Sequence, residues 1–165
     1  MTILHMVSSS TKKAGFISKE WFPCFANYRR DGYDFDSLYE DGYAKNKCKK
    51  IMDLFERKEL ISSIDLKSNA GFGKNGEKNF NGILTELQMQ LYLVIREFHK
   101  KKNKKGIEYG LHVGYYMKPE NFWGYDYVTS YYKETRNESR ARMERFLMEM
   151  YPNADKNAIV RFLDK

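Results

Sequence analysis

Residues Glu77 to Tyr116 read EKNFNGILTELQMQLYLVIREFHKKKNKKGIEYGLHVGYY. Phe80, Ile83, Leu84 and Leu87 recur at i, i+3, i+4 and i+7. That spacing lays one apolar stripe along a helical face and predicts a helix from Glu77 to Gln88. At Gln88-Met89-Gln90 the period changes. Leu91, Tyr92, Leu93, Val94 and Ile95 form a β-favouring run, which predicts a strand. A lysine-rich loop follows, His99-Lys100-Lys101-Lys102-Asn103-Lys104-Lys105-Gly106. Then Ile107, Tyr109, Leu111, Val113 and Tyr115 alternate with Glu108, Gly110, His112, Gly114 and Tyr116, the two-residue period of a second strand. A helix runs here straight into a hairpin with a basic tip.

Upstream, Cys48, Ile51, Met52 and Phe55 give the same helical spacing and predict a helix over Tyr43 to Glu59. Lys45, Lys47, Lys49, Lys50, Arg57 and Lys58 coat its other faces as a solvated surface. Ser62 or Ser63 caps a shorter helix through Asn69. Gly71-Phe72-Gly73-Lys74-Asn75-Gly76 is a turn with three glycines. No strand precedes it, so it lacks the context of a nucleotide-binding phosphate loop. Helix, helix, turn, helix, hairpin is the order of a winged helix-turn-helix. The expected fold class is therefore α+β, mostly helical, a winged helix-turn-helix with N- and C-terminal helical extensions. Its core spans about 43–117 and its C-terminal helices 118–165. Residues 12–165 are expected to form a single domain, preceded by a loose arm over Met1 to Thr11.

In the N-terminal extension, Ser18 marks a helix start, and Trp21, Phe22, Phe25 and Tyr28 recur at helical spacing. Pro23 is compatible with the first turn only, which moves the start downstream of Ser18. Asp31-Gly32 ends the helix, and Asp34 to Tyr39 is a short turn or helix ended by Gly42. Beyond the hairpin, Pro119 to Gly124 reads as a short helical segment. Tyr125, Tyr127, Tyr131 and Tyr132 then form an aromatic cluster, which either packs the hairpin onto the core or stacks a nucleobase. Asn137 is placed to cap a helix over Glu138 to Tyr151, with Met143, Phe146, Leu147 and Met150 as its stripe. Pro152 ends that helix, and Asp155 caps a last one carrying Ile159, Val160, Phe162 and Leu163.

Composition narrows the function. The chain has 165 residues, 42% of them hydrophobic and 16% aromatic, enough to exclude disorder. A net charge of +7 favours an anionic partner. No apolar run approaches the roughly 18 residues a membrane helix needs, and Met1 to Thr11 lacks the apolar core of a leader. Cys24 and Cys48 show no paired spacing, which fits reduced thiols in a cytoplasmic protein and gives no zinc ligand set. His5, His99 and His112 are scattered, so neither a nucleophilic triad nor a metal motif is present and no cofactor is expected.

DNA is the partner this pattern points to, and duplex DNA the form it would take. A helix starting at Glu77 presents Lys78, Asn79, Asn81, Thr85 and Glu86 to a major groove, where Asn pairs with adenine and Lys with guanine or phosphate. Lys74 and the helix N-terminus suit a phosphate. The tip offers five lysines within six residues, Lys100, Lys101, Lys102, Lys104 and Lys105. Lysines there serve phosphate or minor-groove contact, or keep an exposed hairpin soluble.

Several blocks also resemble the AlkZ-related proteins: Lys13 to Trp21, Arg29 to Phe35, Asn69 to Lys74 and Leu84 to Met89, with Tyr109-Gly110, Pro119-Glu120, Phe122 and Glu138-Ser139. The resemblance covers Lys12 to the C-terminus. It implies kinship with the AlkZ/YcaQ winged-helix DNA glycosylases, which excise alkylated or cross-linked bases, and so a role on damaged DNA. It would place a short catalytic motif, Gln–aliphatic–Gln or Gln–aliphatic–Asp, on Gln88-Met89-Gln90. An N7-alkylated purine is already a cationic leaving group. Carboxamide oxygens then need only position water at the anomeric carbon and stabilise charge there. Family members usually carry a further N-terminal segment that Met1 to Thr11 does not resemble, and they often have Lys where Gln90 stands. Three function classes stay open: a DNA-binding protein, a monofunctional glycosylase using Gln88 and Gln90, and a winged helix serving protein contacts.

Overall fold

The computed structural model describes residues 6–7 and 14–164. Strand β1 (Met6–Val7) pairs antiparallel with β2 (Ala14–Gly15). The rest of the expected arm lies outside the described residues. Helix α1 (Phe22–Arg30) has Pro23 in its first turn and ends at Asp31 and Gly32, both left-handed. Ser18 sits a turn earlier, its carbonyl accepting from the amides of Trp21 and Phe22. Helix α2 (Phe35–Glu40) follows.

The central unit begins with α3 (Asn46–Met52), which tightens into a 3₁₀ turn over Asp53–Glu56. This is shorter at both ends than the helix expected over Tyr43 to Glu59. The chain leaves the helix early because it must reach β3 (Ile61–Ser62), whose pairing with Tyr115 and Tyr116 is a long-range contact. Ser62 then caps α4 (Ser63–Asn69), its hydroxyl accepting from the Asp65 amide at 3.1 Å. Next come α5 (Phe80–Met89), β4 (Val94–Lys102) and β5 (Glu108–Met117). The sheet is antiparallel with strand order β3-β5-β4.

Three expectations about this unit need correction. Helix α5 starts at Phe80, not Glu77. Glu77 is tied to the preceding loop, its amide donating to the Gly71 carbonyl at 2.9 Å, and Asn79 is left-handed with φ 67°. The apolar run from Leu91 is not a strand at its start. Leu91 has φ 61°, and the Tyr92 and Leu93 amides both turn back to the Leu87 carbonyl. Leu91, Tyr92 and Leu93 are all at most 2% exposed. Burial demands an apolar run equally of a core turn and a core strand, so composition did not separate them. Finally, the first half of the lysine loop is strand, because β4 runs through Lys102. In β5 the register jumps between Lys100↔His112 and Lys101↔Tyr109. Gly110, at φ 73°, and Leu111 fall in the resulting bulge, so Leu111 leaves the alternation.

Helices α6 (Pro119–Trp123), α7 (Tyr125–Val128), α8 (Arg136–Met150) and α9 (Lys156–Leu163) complete the order. The cap of α8 is Thr135, not Asn137. Thr135 and Glu138 form a reciprocal capping box, which satisfies two backbone donors at once. Asp155 caps α9 as expected. Of the expected α8 stripe only Met143 is buried, and Met150 is 56% exposed.

The core has three clusters. The first packs α2 to α5 and the sheet around Ile51, Leu66, Leu87 and Leu93. The second joins α1 to the turn after α5 and to α7 through Phe22, Ala26, Leu91 and Val128. The third joins α1 to α8 and α9 through Cys24, Tyr28, Met143 and Leu163. Helix α1 therefore ties the flanking helices to the central unit. Among the described residues no helix is long and apolar enough to cross a membrane.

Candidate nucleic-acid interface

The loop before α5 and the first turn of α5 frame an open cleft of about 360 Å³, lined by Lys67, Lys74, Glu77, Lys78, Asn79 and Asn81 over the rings of Phe72 and Phe80. Asn79 occupies the cap position of α5, yet no side chain caps the helix. The first amides of α5 are thus left to solvent or a ligand, next to three lysines. Lys78 is folded back, its ammonium donating to the carbonyls of Gly73 at 3.0 Å and Lys74 at 2.6 Å. Its charge therefore sits in the loop rather than along the helix. The Asn79 carboxamide lies over Gly82, where an added Cβ would come within 2.4 Å of it. Gly82 makes that placement sterically allowed. Of the polar residues expected to read a groove, Asn79 and Asn81 are exposed, while Thr85 is half-buried. Glu86 is engaged by Lys45 at 2.5 Å.

The hairpin carries the second basic cluster. Lys100, Lys101 and Lys102 lie in β4, while Lys104 and Lys105 lie in the turn. Asn103 organises that turn, its side-chain oxygen accepting from the amides of Lys105 at 2.9 Å and Ile107 at 3.0 Å. All five lysines are exposed, and none pairs with a carboxylate of a described residue. The α3 lysines differ. Lys47 and Lys50 hold Glu77 at 3.2 and 2.7 Å, and Lys49 holds Asp53. Those pairs depress the Glu77 carboxyl below its ordinary range, Lys50 first and Lys47 next. The α3 lysines are thus paired with carboxylates outside the helix, and the hairpin lysines are not. The outer hairpin is exposed on both faces, including Ile107, Tyr109 and Leu111.

The junction between helix and hairpin holds Gln88 and Gln90. Gln88 is 3% exposed, and its amide nitrogen is buried without a hydrogen-bond partner. Gln90 is half-buried at the C-cap of α5 and is the one of the two with access to solvent. The following residue, Leu91, is held from behind by Arg30, which sequence reasoning missed. Arg30 is 2% exposed. Its guanidinium donates to the Leu91 carbonyl at 2.5 Å, to Glu120 at 2.5 Å and to the Tyr132 hydroxyl at 3.1 Å. It also lies 4.5 Å from the Tyr92 ring centre. Adjacent arginines ending a helix look like surface charge that complements the helix C-terminus. Only the fold brings Glu120, 90 positions away, onto one of them.

The tyrosine cluster is divided between uses. Tyr132 caps Arg30 and also donates to the Tyr33 carbonyl at 3.1 Å, a packing role. Tyr125 is exposed and donates to Asp34 at 2.7 Å, which with some burial pushes its pKa up to about 12. Tyr127 donates to the Lys19 carbonyl, and Tyr131 packs against the third core cluster. Cys24 and Cys48 are free and buried, and burial pushes both thiols up to about 11. His99 stacks edge-on with Tyr115 and approaches Glu97 at 3.0 Å, while His112 is exposed on β5. No group of three or more potential metal ligands occurs among the described residues.

A helix–strand–helix–helix–hairpin unit with two unbalanced lysine clusters now stands beside the family comparison. The model of the AlkZ-related family matches residues 10–164, and the chain belongs to that family. No curated protein and no solved structure matches it.

Proposed function

We propose that this chain is a winged-helix DNA-binding protein that acts on duplex DNA, with damaged DNA as its target. The observation that carries this reading is the order α3-β3-α4-α5-β4-β5, with a sheet ordered β3-β5-β4 and five unpaired lysines at the hairpin end. A helix-turn-helix with a basic wing has this layout. In this reading Lys74, Lys78, Asn79 and Asn81 meet DNA around the uncapped start of α5. Lys100, Lys101, Lys102, Lys104 and Lys105 meet phosphates along the wing. Residues 12–165 act as one domain, and two free buried thiols fit a cytoplasmic setting.

Fluorescence anisotropy on a labelled duplex across a salt series tests it. Affinity is expected to fall steeply with salt. Replacing the five wing lysines by glutamate is expected to abolish binding without shifting the melting temperature. Affinity insensitive to salt would sink the proposal and favour the protein-contact reading of the fold.

A second reading, a monofunctional glycosylase, is favoured by one feature. Gln88 keeps an unpaired buried amide next to Leu91, a residue with positive φ pinned by a buried arginine. Unpaired buried donors and strained backbone concentrate at functional sites. In this reading Gln90 addresses the water and the sugar, and Gln88 supports it from beneath. Base release from N7-alkylguanine DNA is expected, and Gln90→Ala is expected to remove it. No release above the level of Gln88→Ala and Gln90→Ala leaves the binding function alone.

A further inference from the structure

Tyr28 is 4% exposed, and its hydroxyl donates to the Leu163 carbonyl at 3.2 Å. Two guanidiniums lie against its ring, Arg29 at 5.5 Å and Arg136 at 5.1 Å from the ring centre. A third arginine, Arg140, donates to Asp164 Oδ1 at 3.2 and 2.8 Å. Asp164 is the carboxylate that reaches this cluster, and Arg140 already holds it. Arg29 and Arg136, like Arg57, Arg96 and Arg145, form no ion pair with a described residue, whereas Arg30, Arg140, Arg142 and Arg161 each do. The Arg29 Nε is also buried without a hydrogen-bond partner.

Helix chemistry accounts for only one of the two unpaired charges. Arg29 is in the last turn of α1, where a cation complements the helix C-terminus. Arg136 is the first residue of α8, where a cation opposes the helix dipole. A guanidinium has no acceptor, so Arg136 cannot serve the amides of that helix end, which Thr135 caps. Burial lowers the Arg29 pKa and the nearby Arg136 charge adds to the effect, while Tyr28 and Asp164 oppose it. Three guanidiniums gather here against one described carboxylate, Asp164, whose Oδ1 lies 3.5 Å from the Tyr28 hydroxyl and is already held by Arg140, which leaves an excess of positive charge among the described residues. Guanidinium N–H groups match the oxygens of a phosphate.

We propose that Arg29 and Arg136, held on the Tyr28 ring and backed by Arg140, form a phosphate site separate from the hairpin and the α5 cleft. Its ligand is a phosphate group, supplied either by a nucleic-acid backbone or as the free anion. The site stands independently of the winged-helix reading, because it is built from α1, α8 and α9.

Thermal melting in phosphate against chloride at matched ionic strength and pH tests the site, since a ligand bound only to the native state raises its melting temperature. The wild type is expected to melt higher in tens of millimolar phosphate. Arg136→Gln, an exposed position, is expected to melt normally in chloride and to lose the phosphate-specific rise, and Arg29→Gln to behave alike. A wild type with no phosphate-specific rise overturns the site, as does an Arg136→Gln variant that retains it. A short labelled duplex then separates the sources. If the backbone is the ligand, Arg136→Gln lowers the slope of log affinity against log salt by about 1. If the duplex slope is unchanged while the phosphate rise is lost, the site stands with free phosphate as its ligand.

Discussion

Gln88 buries an amide nitrogen that has no hydrogen-bond partner. A buried amide with an unpaired nitrogen costs about 1–3 kcal/mol relative to a satisfied one. An unbranched apolar side chain of similar length removes that cost, so Gln88→Met is expected to stabilise the protein by about 1 kcal/mol. Urea denaturation measures this, and a destabilised variant would mean the amide is satisfied in solution. Gain of stability together with loss of base release would mark Gln88 as kept for function. Asn79 and Gly82 form a second coupled pair, since the carboxamide fills the space an alanine methyl would need. Alanine in place of helical glycine ordinarily gains about 1 kcal/mol. Gly82→Ala alone is expected to fall short of that gain, and Gly82→Ala in an Asn79→Gly background to realise it. Additive free energies across the double-mutant cycle would contradict the contact.

Among the elements, α8 shows how local chemistry sets a boundary. Thr135→Ala removes the capping box and is expected to cost about 1 kcal/mol. The Thr135 amide and hydroxyl hold the Glu138 carboxyl below its ordinary value. A depressed carboxyl contributes stability above its unfolded pKa and loses it as pH falls through the folded pKa. Stability is therefore expected to drop as pH falls from about 5 towards 3, and Glu138→Gln to flatten that part of the melting-temperature profile. An unchanged profile would show that the box does not form in solution. The cap was within reach of the sequence, because Thr135 and Glu138 have the spacing of a capping box and Asn137 does not. The hairpin was legible too, from its two-residue period and basic tip. Its bulge was not, because a register jump depends on which residues face each other across two strands.

At the scale of the whole molecule, Arg30 joins parts far apart in sequence: α1, the turn after α5, α6 and the segment holding Tyr132. Its side chain has no exposed surface, while Glu120 keeps 19%. Removing the cation leaves Glu120 unpaired and two further acceptors, the Leu91 carbonyl and the Tyr132 hydroxyl, without this donor. Arg30→Ala is expected to cost on the order of 3 kcal/mol, read from the urea midpoint. Arg30→Ala with Glu120→Gln is expected to recover part of that loss, and no recovery would show that Arg30 acts by packing alone. The same change is expected to release Leu91 from its positive φ and so loosen Gln90. Neither Arg30 nor the Arg29–Arg136 cluster was visible in the chain, because each depends on groups about a hundred positions away.

The sequence by itself determined the helical stripes around Ile51 and Leu87, the stops at Asp31-Gly32 and Pro152, a serine cap at 62 or 63, the Asp155 cap, and the basic hairpin. All of these follow from periodicity, backbone preference or charge over a few neighbouring residues. Tertiary structure decided where α3 and α5 begin and end, that the apolar run from Leu91 is a buried turn, and which cations are neutralised. Those outcomes depend on which distant groups compete for the same amides, carboxylates and buried space. That competition is also why Lys45 and the α3 lysines are paired with Glu86, Glu77 and Asp53 while the lysines of the hairpin pair with no described carboxylate.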